Sequence, residues 1–183
     1  MTIINERDSL VLIIDIQEKL LNAAFNSLSI KKNIDILTKT ADALNIPVFI
    51  TEQYPKGLGE TISIIKNNLR STNKIICEKN DFNAFFDKNI YAKLNSLNKK
   101  QIIICGIETH ICVHQSAAEL LKKGFQVAVL TDASGSRAES EHVCGLENIK
   151  ENGGCIKTTE MVVFELLKTS KHPKFKEIQS LVK

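Results

Sequence analysis

The sequence lacks any long apolar run near its start. The first apolar run covers only residues 10–14 before Asp15 interrupts it, and the polar residues Glu6, Arg7 and Asp8 come just before it. A membrane span needs about 20 apolar residues, and a signal peptide needs an apolar stretch of about 7–15 residues behind a positively charged start. We therefore expect neither a signal peptide nor a membrane partner.

The chain also lacks a strong excess of positive or negative charge. Lys and Arg number 24 against 21 Asp and Glu, which gives a formal net charge of +3, and the basic residues are scattered along the chain. This balance gives little support to nucleic-acid binding. The GxGxxG fingerprint and the P-loop are absent, because Gly135 and the Gly153-Gly154 pair stand without their partner residues. We expect a small-molecule substrate, no nucleic-acid partner and no cofactor.

The five cysteines form no CxxC pair. An odd number of cysteines in a chain of 183 residues, which is large enough to fold without disulfides, predicts free thiols in the reducing cytoplasm. The same length is too short for two ordinary domains, so residues 1–183 are predicted to form a single domain. Cys77 and Cys105 lie within apolar runs, where a cysteine usually serves as a small hydrophobic residue. Only Cys112 has surroundings that suggest chemistry.

Short β-branched runs alternate with longer amphipathic stretches along the chain. The runs are nearly continuous in apolar residues, which is typical of strands covered on both faces. Six βα units predict a three-layer, doubly wound α/β fold with a mainly parallel sheet and helices on both faces. The predicted strands are residues 10–14, 47–51, 74–77, 101–105, 126–130 and 155–157. The predicted helices are residues 31–44, 61–69, 88–97, 112–123, 138–151 and 160–169.

Three reactive side chains follow the ends of predicted strands: Asp15, Lys79 and Cys112. If the first and fourth strands are parallel neighbours, Asp15 and Cys112 stand at the edge where open α/β sheets place their chemistry. A carboxylate within reach of a thiol can take its proton, and a nearby ammonium can hold both partners charged. The arrangement indicates a cysteine-nucleophile hydrolase.

Each of these residues has a structural alternative. A thiol at a helix N-terminus has a lowered pKa and lies beside free backbone N–H groups, but a buried helix cysteine that packs on the sheet fits the spacing of Cys112 equally well. Asp15 alone would most often be a turn or helix-capping residue, and Lys79 alone would be solvated. The spacing by itself does not decide between these alternatives.

A metal site is not expected. His110 and His114 stand four residues apart, as two imidazole ligands on one helix face would, but Cys112 lies between them near the opposite side of the helix. No further ligand motif accompanies the pair. Residues 51–59, which contain Tyr54 and Pro55, are either a turn into the next helix or a substrate loop.

The chain resembles the isochorismatase-like cysteine hydrolase superfamily over residues 9–167. The matching motifs are residues 12–17, 78–85, 105–113, 131–137 and 159–167, and their order, spacing and strand context all agree. Residues 51–59 most resemble the isochorismatase domain-containing branch. The resemblance implies strand order 3-2-1-4-5-6 and a catalytic triad of Asp15, Lys79 and Cys112.

The resemblance also implies details of the site and of the assembly. A cis peptide bond would fall at Ile107-Glu108, and the backbone N–H groups of Ile111 and Cys112 would form the oxyanion hole. Family members commonly form homo-oligomers, and a neighbouring subunit completes the pocket in some of them. Our predictions for the substrate pocket are Gln17, Phe25, Tyr54, Phe82 and Phe85.

Two departures narrow the implied activity. Related nicotinamidases hold a metal with an Asp and two His in the loop after the second strand, where this chain has Glu52, Gln53, Tyr54 and Pro55. Isochorismatases proper cleave a vinyl ether and lack the nucleophilic cysteine, whereas this chain keeps Cys112. We therefore expect an amidase-like hydrolase that forms a thioester. The alternatives are a catalytically silent interaction module, a protein in which Cys112 is a redox-sensing thiol, and a vinyl ether hydrolase.

Overall fold

A computed structural model describes residues 3–183 and contains a parallel sheet. Its strands are β1 Ser9–Ile14, β2 Val48–Gln53, β3 Lys74–Lys79, β4 Gln101–Ile107, β5 Gln126–Gly135 and β6 Cys155–Lys157. They lie side by side in the order β3-β2-β1-β4-β5-β6, as predicted. The direction of the strand order reverses between β1 and β4, so a crevice opens at their carboxyl ends.

Helices connect the strands and cover both faces of the sheet. They are α1 Glu18–Ala23, α2 Ser27–Ala43, α3 Pro55–Leu58, α4 Ser63–Asn68, α5 Lys88–Asn95, α6 His114–Lys122, α7 Glu139–Glu151, α8 Thr159–Leu167 and α9 Phe175–Gln179. A short 3₁₀ turn spans Ser71–Asn73, and a turn of π-helix spans Thr109–Val113. No helix within residues 3–183 is long and apolar enough to cross a lipid bilayer.

The alternation of side chains along β1 divides the core into two layers. Val11 and Ile13 point into the layer formed with α2, α4 and α8, whereas Leu10, Leu12 and Ile14 point into the layer formed with α5 and α6. All five side chains are fully buried. Because successive strand residues face opposite sides, a strand covered on both faces must be apolar throughout, as β1 is.

The structure extends several predicted elements. Strand β5 continues five residues past the predicted end at Leu130, as far as Gly135. The helix predicted from Cys112 begins earlier, as the π turn Thr109–Val113, and becomes α-helical at His114. The short helices α1, α3 and α9 were not predicted, because helices of four to six residues are too short to show clear periodicity.

Candidate active site

Asp15 lies at the carboxyl end of β1, where the backbone takes a positive φ of 53°. Its N–H still donates to the carbonyl oxygen of Thr51 at 3.1 Å, so the residue stays tied to β2. The carboxylate is completely buried, and the hydroxyl of Thr51 donates to its Oδ1 at 2.7 Å. A buried carboxylate is costly without a countercharge, so its remaining oxygen requires a cation.

Lys79 supplies this cation from two strands away. It ends β3 opposite Gln53 of β2, and its side chain reaches past the end of β2 to β1. The ammonium nitrogen lies 2.7 Å from Asp15 Oδ2, and the Lys79 side chain is only 1% exposed. It also donates to Gln53 Oε1 at 2.5 Å and to the carbonyl oxygen of Asp81 at 3.2 Å. These acceptors hold the ammonium at the carboxyl ends of β1, β2 and β3.

Cys112 completes the group from the other side of β1. It lies in the π turn after β4, is 7% exposed, and its Sγ is 3.5 Å from the Lys79 ammonium nitrogen. The structure therefore brings the three predicted residues Asp15, Lys79 and Cys112 together at the switch point of the sheet.

The Cys112 thiol is protonated at neutral pH. Burial and, to a lesser degree, the Asp15 carboxylate raise its pKa, the Lys79 ammonium opposes them, and the net result is a pKa of about 12. This direction is opposite to the lowered pKa predicted from a helix N-terminus. The reason is that Cys112 lies inside a π turn, almost out of solvent and beside a carboxylate, so the thiolate is poorly hydrated.

The π turn is closed by hydrogen bonds to one carbonyl group. The N–H groups of Ile111 and Val113 both donate to the carbonyl oxygen of Glu108, at 3.1 and 3.2 Å. The Ile107-Glu108 peptide bond that precedes the turn is cis. The N–H of Ile111 is therefore already engaged, and it can receive another acceptor only by sharing or giving up its bond to Glu108.

The proposed pocket residues separate into buried and exposed groups. Gln17 is fully buried and Phe85 belongs to the core layer beneath the site. Phe25, Tyr54 and Phe82 are exposed, and they follow β1, β2 and β3 respectively. The exposed aromatic residues are the ones placed to meet a ligand or a partner from solvent.

Gln17 braces the segment that follows β2. Its amide nitrogen donates to the carbonyl oxygens of Gln53 and Gly59, and its oxygen accepts from the N–H of Gln53 at 2.8 Å. Because the side chain of Gln53 in turn accepts a hydrogen bond from the Lys79 ammonium, Gln17 supports the position of Lys79 indirectly.

Sequence reasoning missed the roles of two residues of β2. Thr51 donates a hydrogen bond to Asp15, and Gln53 accepts one from Lys79. Both point toward the site from the strand that lies between β1 and β3. A signal was present, because polar residues at the end of an otherwise apolar middle strand must face the same edge as Asp15 and Lys79. Within residues 3–183 no group of three or more His, Cys, Asp or Glu side chains is arranged to hold a metal ion.

The chain is similar in sequence to proteins of one known family. Residues 9–161 match the model of the isochorismatase domain. Isochorismatase family protein 1A of Dictyostelium discoideum is 36% identical over 175 residues, which cover 94% of this chain and 85% of the relative.

Solved structures show the same architecture. The MAR1 ribonuclease of Caenorhabditis elegans superposes with a TM-score of 0.92 at 32% identity, covering 99% of this chain and 92% of that one. The product of the YcaC gene of Escherichia coli, described as an octameric hydrolase of unknown specificity, has a TM-score of 0.87 at 24% identity, covering 98% of this chain and 96% of that one.

Proposed function

The chain belongs to the isochorismatase family, and from this membership and the geometry of the site we propose that it is a cysteine hydrolase of a small amide-type carbonyl substrate. One observation carries the proposal. The buried Lys79 ammonium lies 2.7 Å from the Asp15 carboxylate and 3.5 Å from Cys112 Sγ, so base, cation and nucleophile form one group.

The resting group suits nucleophilic attack coupled to proton transfer. The protonated thiol of Cys112 gives its proton to Asp15 as Sγ attacks the carbonyl carbon, so the energy of a free buried thiolate is avoided. The carbonyl oxygen becomes an oxyanion, which the N–H of Cys112 would receive together with the N–H of Ile111, once Ile111 shares or gives up its bond to the carbonyl oxygen of Glu108. The Lys79 ammonium pairs with the Asp15 carboxylate at 2.7 Å in the resting state and offsets the charge that develops on sulfur.

Collapse of the adduct completes the first half of the reaction. The C–N bond breaks, the leaving nitrogen takes the proton from Asp15, and a thioester remains on Cys112. Asp15 then removes a proton from water, the water attacks the thioester carbon, and the C–S bond breaks. The proton returns to sulfur, which restores the thiol and releases a carboxylic acid.

The proposal is tested by replacing the nucleophile. We expect Cys112→Ala to lower the hydrolysis of p-nitrophenyl acetate and of any small amide turned over by the wild type by about a thousandfold or more. Thermal unfolding should change little, because one sulfur atom is lost at the edge of the core. The measurements are p-nitrophenolate or ammonia release and the melting temperature.

Cys144→Ala is the matched control, since Cys144 is an exposed free thiol on α7. The Cys144→Ala variant should retain full turnover, because Cys144 is exposed on α7 and contributes nothing to the group of Asp15, Lys79 and Cys112. Undiminished hydrolysis by folded Cys112→Ala would overturn the proposal.

Cleavage of RNA is the second candidate, because the C. elegans relative at 32% identity is named a ribonuclease. An RNA oligonucleotide should therefore be incubated with the same three proteins. Cleavage that is lost in Cys112→Ala, together with no turnover of esters or amides, would favour this candidate over the amidase-like reaction.

The assembly and location form part of the proposal. We propose that residues 1–183 act as a single domain that associates with further copies, since aromatic side chains are exposed beside the site and the E. coli neighbour is described as octameric. We place the reaction in the cytoplasm, because all five cysteines are free thiols and such a set is stable in a reducing compartment.

A further inference from the structure

Helix α7 packs directly against the backbone of the π turn that carries Cys112. Gly145 makes this approach possible, because a Cβ atom at that position would lie 2.9 Å from both the N and the Cα atom of His110, and 3.0 Å from the carbonyl carbon of Thr109. Backbone atoms cannot move aside as the end of a side chain can. The helix and the turn therefore fix each other's position.

One helical turn earlier on the same face, His142 bonds to the side chain of the π turn's first residue. Its Nδ1 is 2.8 Å from Thr109 Oγ1, and its Nε2 is 3.4 Å from Thr131 Oγ1. Both His142 and Thr109 are buried, and the ring of Phe25 lies 5.7 Å from the imidazole centre. A buried imidazole with a hydroxyl group at each nitrogen is fully partnered and has little freedom to rotate.

A third contact joins α7 to the turn at the solvent side. Glu141 Oε2 lies 3.2 Å from His110 Nε2, and His110 Nδ1 lies 3.0 Å from the hydroxyl of Ser136. Ser136 directly follows β5, and its carbonyl oxygen accepts from the N–H of Phe25. The turn is thus held between α7 and the end of the sheet.

These contacts reach Cys112 through the backbone of the π turn. Thr109 and Cys112 belong to the same π turn, and the N–H of His114 donates to the carbonyl oxygen of Thr109 at the start of α6. A shift of Thr109 therefore changes the direction of the turn on both sides of Cys112. Cys112 Sγ must stay close to Asp15 and Lys79, and small displacements of reacting groups are costly in rate.

We propose that the face of α7 formed by Glu141, His142 and Gly145 sets the position of the Cys112 turn, and that His142 is a positioning residue that acts through the hydroxyl of Thr109. The inference rests on the proposed function, because it assigns a role in the chemistry of Cys112. His142 itself touches neither the triad atoms nor a substrate.

Two variants of Thr109 test separately whether its hydroxyl group or its side-chain volume matters. Thr109→Val keeps the volume and removes the hydrogen bond to His142, whereas Thr109→Ser keeps the hydroxyl and removes a methyl group. If Thr109 mattered only for packing, serine would be the more harmful replacement. The positioning role predicts the reverse order.

The experiment follows acetylation of Cys112 by p-nitrophenyl acetate in a single turnover. In this step the C–S bond forms, the ester C–O bond breaks, p-nitrophenolate leaves and the thiol proton passes to Asp15. Burst kinetics and peptide mass spectrometry, well below the melting temperature, give the rate for Cys112 alone. The acetylation rate of Cys144, an exposed cysteine that every variant retains, is the internal reference for the activity of the reagent.

We expect Thr109→Val and His142→Leu to slow acetylation by about ten- to a hundredfold. Thr109→Ser and His142→Asn, which keep a hydrogen-bonding atom near the same place, should stay within about threefold of the wild type. The exposed Glu147→Gln on the opposite face of α7 is the matched control and should be unchanged.

The outcomes separate this inference from the proposed function. If wild-type Cys112 is acetylated and all four variants react at the wild-type rate, the positioning role is overturned and the hydrolase proposal stands. A slower Thr109→Ser with a normal Thr109→Val overturns it equally, because packing alone then explains the effect. If wild-type Cys112 is not acetylated, the proposed function fails and the inference fails with it.

Discussion

At the scale of single residues, the buried pair of Asp15 and Lys79 dominates the energetics of the site. The two charges are 2.7 Å apart and almost completely out of water. Such a pair stabilises the fold little relative to apolar residues, but the loss of one partner costs about 3–5 kcal/mol, since the other charge is left buried and alone. This cost is consistent with a pair that is kept for its chemistry.

The two members of the pair should affect the Cys112 thiol in opposite directions. The Asp15 carboxylate raises the thiol pKa and the Lys79 ammonium lowers it. Asp15→Asn should therefore lower the pKa of Cys112, which increases the thiolate fraction and accelerates alkylation by iodoacetamide between about pH 7 and about pH 10. Hydrolysis should nevertheless fall by about 10²–10⁴-fold, because the proton acceptor is gone.

Lys79→Met is the opposite comparison for this prediction, because it removes the positive charge of the pair instead of the negative one. Its loss should raise the thiol pKa further, slow alkylation at every pH in the same range and lower the stability of the fold. Alkylation rates resolved for each cysteine by mass spectrometry provide the measurement. Slower alkylation in Asp15→Asn would mean that Asp15 ionises the thiol already in the resting state.

At the scale of secondary-structure elements, the close approach of β4 to β1 brings the π turn that carries Cys112 to Asp15. Gly106 pairs with Ile14 in the sheet and has a φ of 149°. A Cβ atom there would lie 2.3 Å from the carbonyl oxygen of Ile14, and the register between β4 and β5 shifts at the same point. Only glycine allows β4 to bend into the turn without leaving β1.

Gly106→Ala should therefore damage both the fold and the site. The clash is with backbone, so we expect the free energy of unfolding to fall by roughly 2–4 kcal/mol and acetylation of Cys112 to be lost. Urea denaturation and single-turnover kinetics check the two effects. Gly124→Ala is the control, since Gly124 also has a positive φ, 86°, but a Cβ there meets no atom within 4 Å.

For that control the expected cost is only about 1 kcal/mol of backbone strain, with normal acetylation. Equal losses in the two alanine variants would show that the backbone angle, rather than contact with β1, is what matters at Gly106.

At the scale of the whole molecule, exposed aromatic residues are concentrated at the carboxyl edge of the sheet. Phe25, Tyr54, Phe82 and Phe86 follow β1, β2 and β3 and are 44–65% exposed. Aromatic residues are enriched in protein interfaces, where their large apolar area is removed from water. Their position beside the site supports the proposal that copies of the chain associate there.

Light scattering coupled to gel filtration should therefore give a mass that is a multiple of the single chain. Phe82→Ser combined with Phe86→Ser should shift the protein to a smaller species, whereas Met161→Gln, an exposed apolar residue of α8, should leave the mass unchanged. A single-chain mass for the wild type at micromolar concentration would contradict the proposed assembly.

The sequence by itself determined the sheet and the positions of its reactive residues. The β-branched runs predicted six strands, and their connections by helices predicted a parallel sheet in which Asp15, Lys79 and Cys112 share one edge. These features follow from local patterns in the sequence. Side-chain periodicity identifies each strand and helix, and a helix that connects two neighbouring strands makes them run parallel. The family motifs supplied the strand order that the structure has.

Only the tertiary structure decided how these residues behave. The raised pKa of Cys112 depends on burial and on charges from β1 and β3, so no local pattern could give its direction. In the same way, Gln17 holds the end of β2 through hydrogen bonds to Gln53, and His142 and Gly145 contact Thr109 and His110 of the π turn from more than thirty residues away in sequence. Solvation and electrostatic interaction depend on which distant groups come to lie within a few ångströms of each other, and folding alone sets these distances.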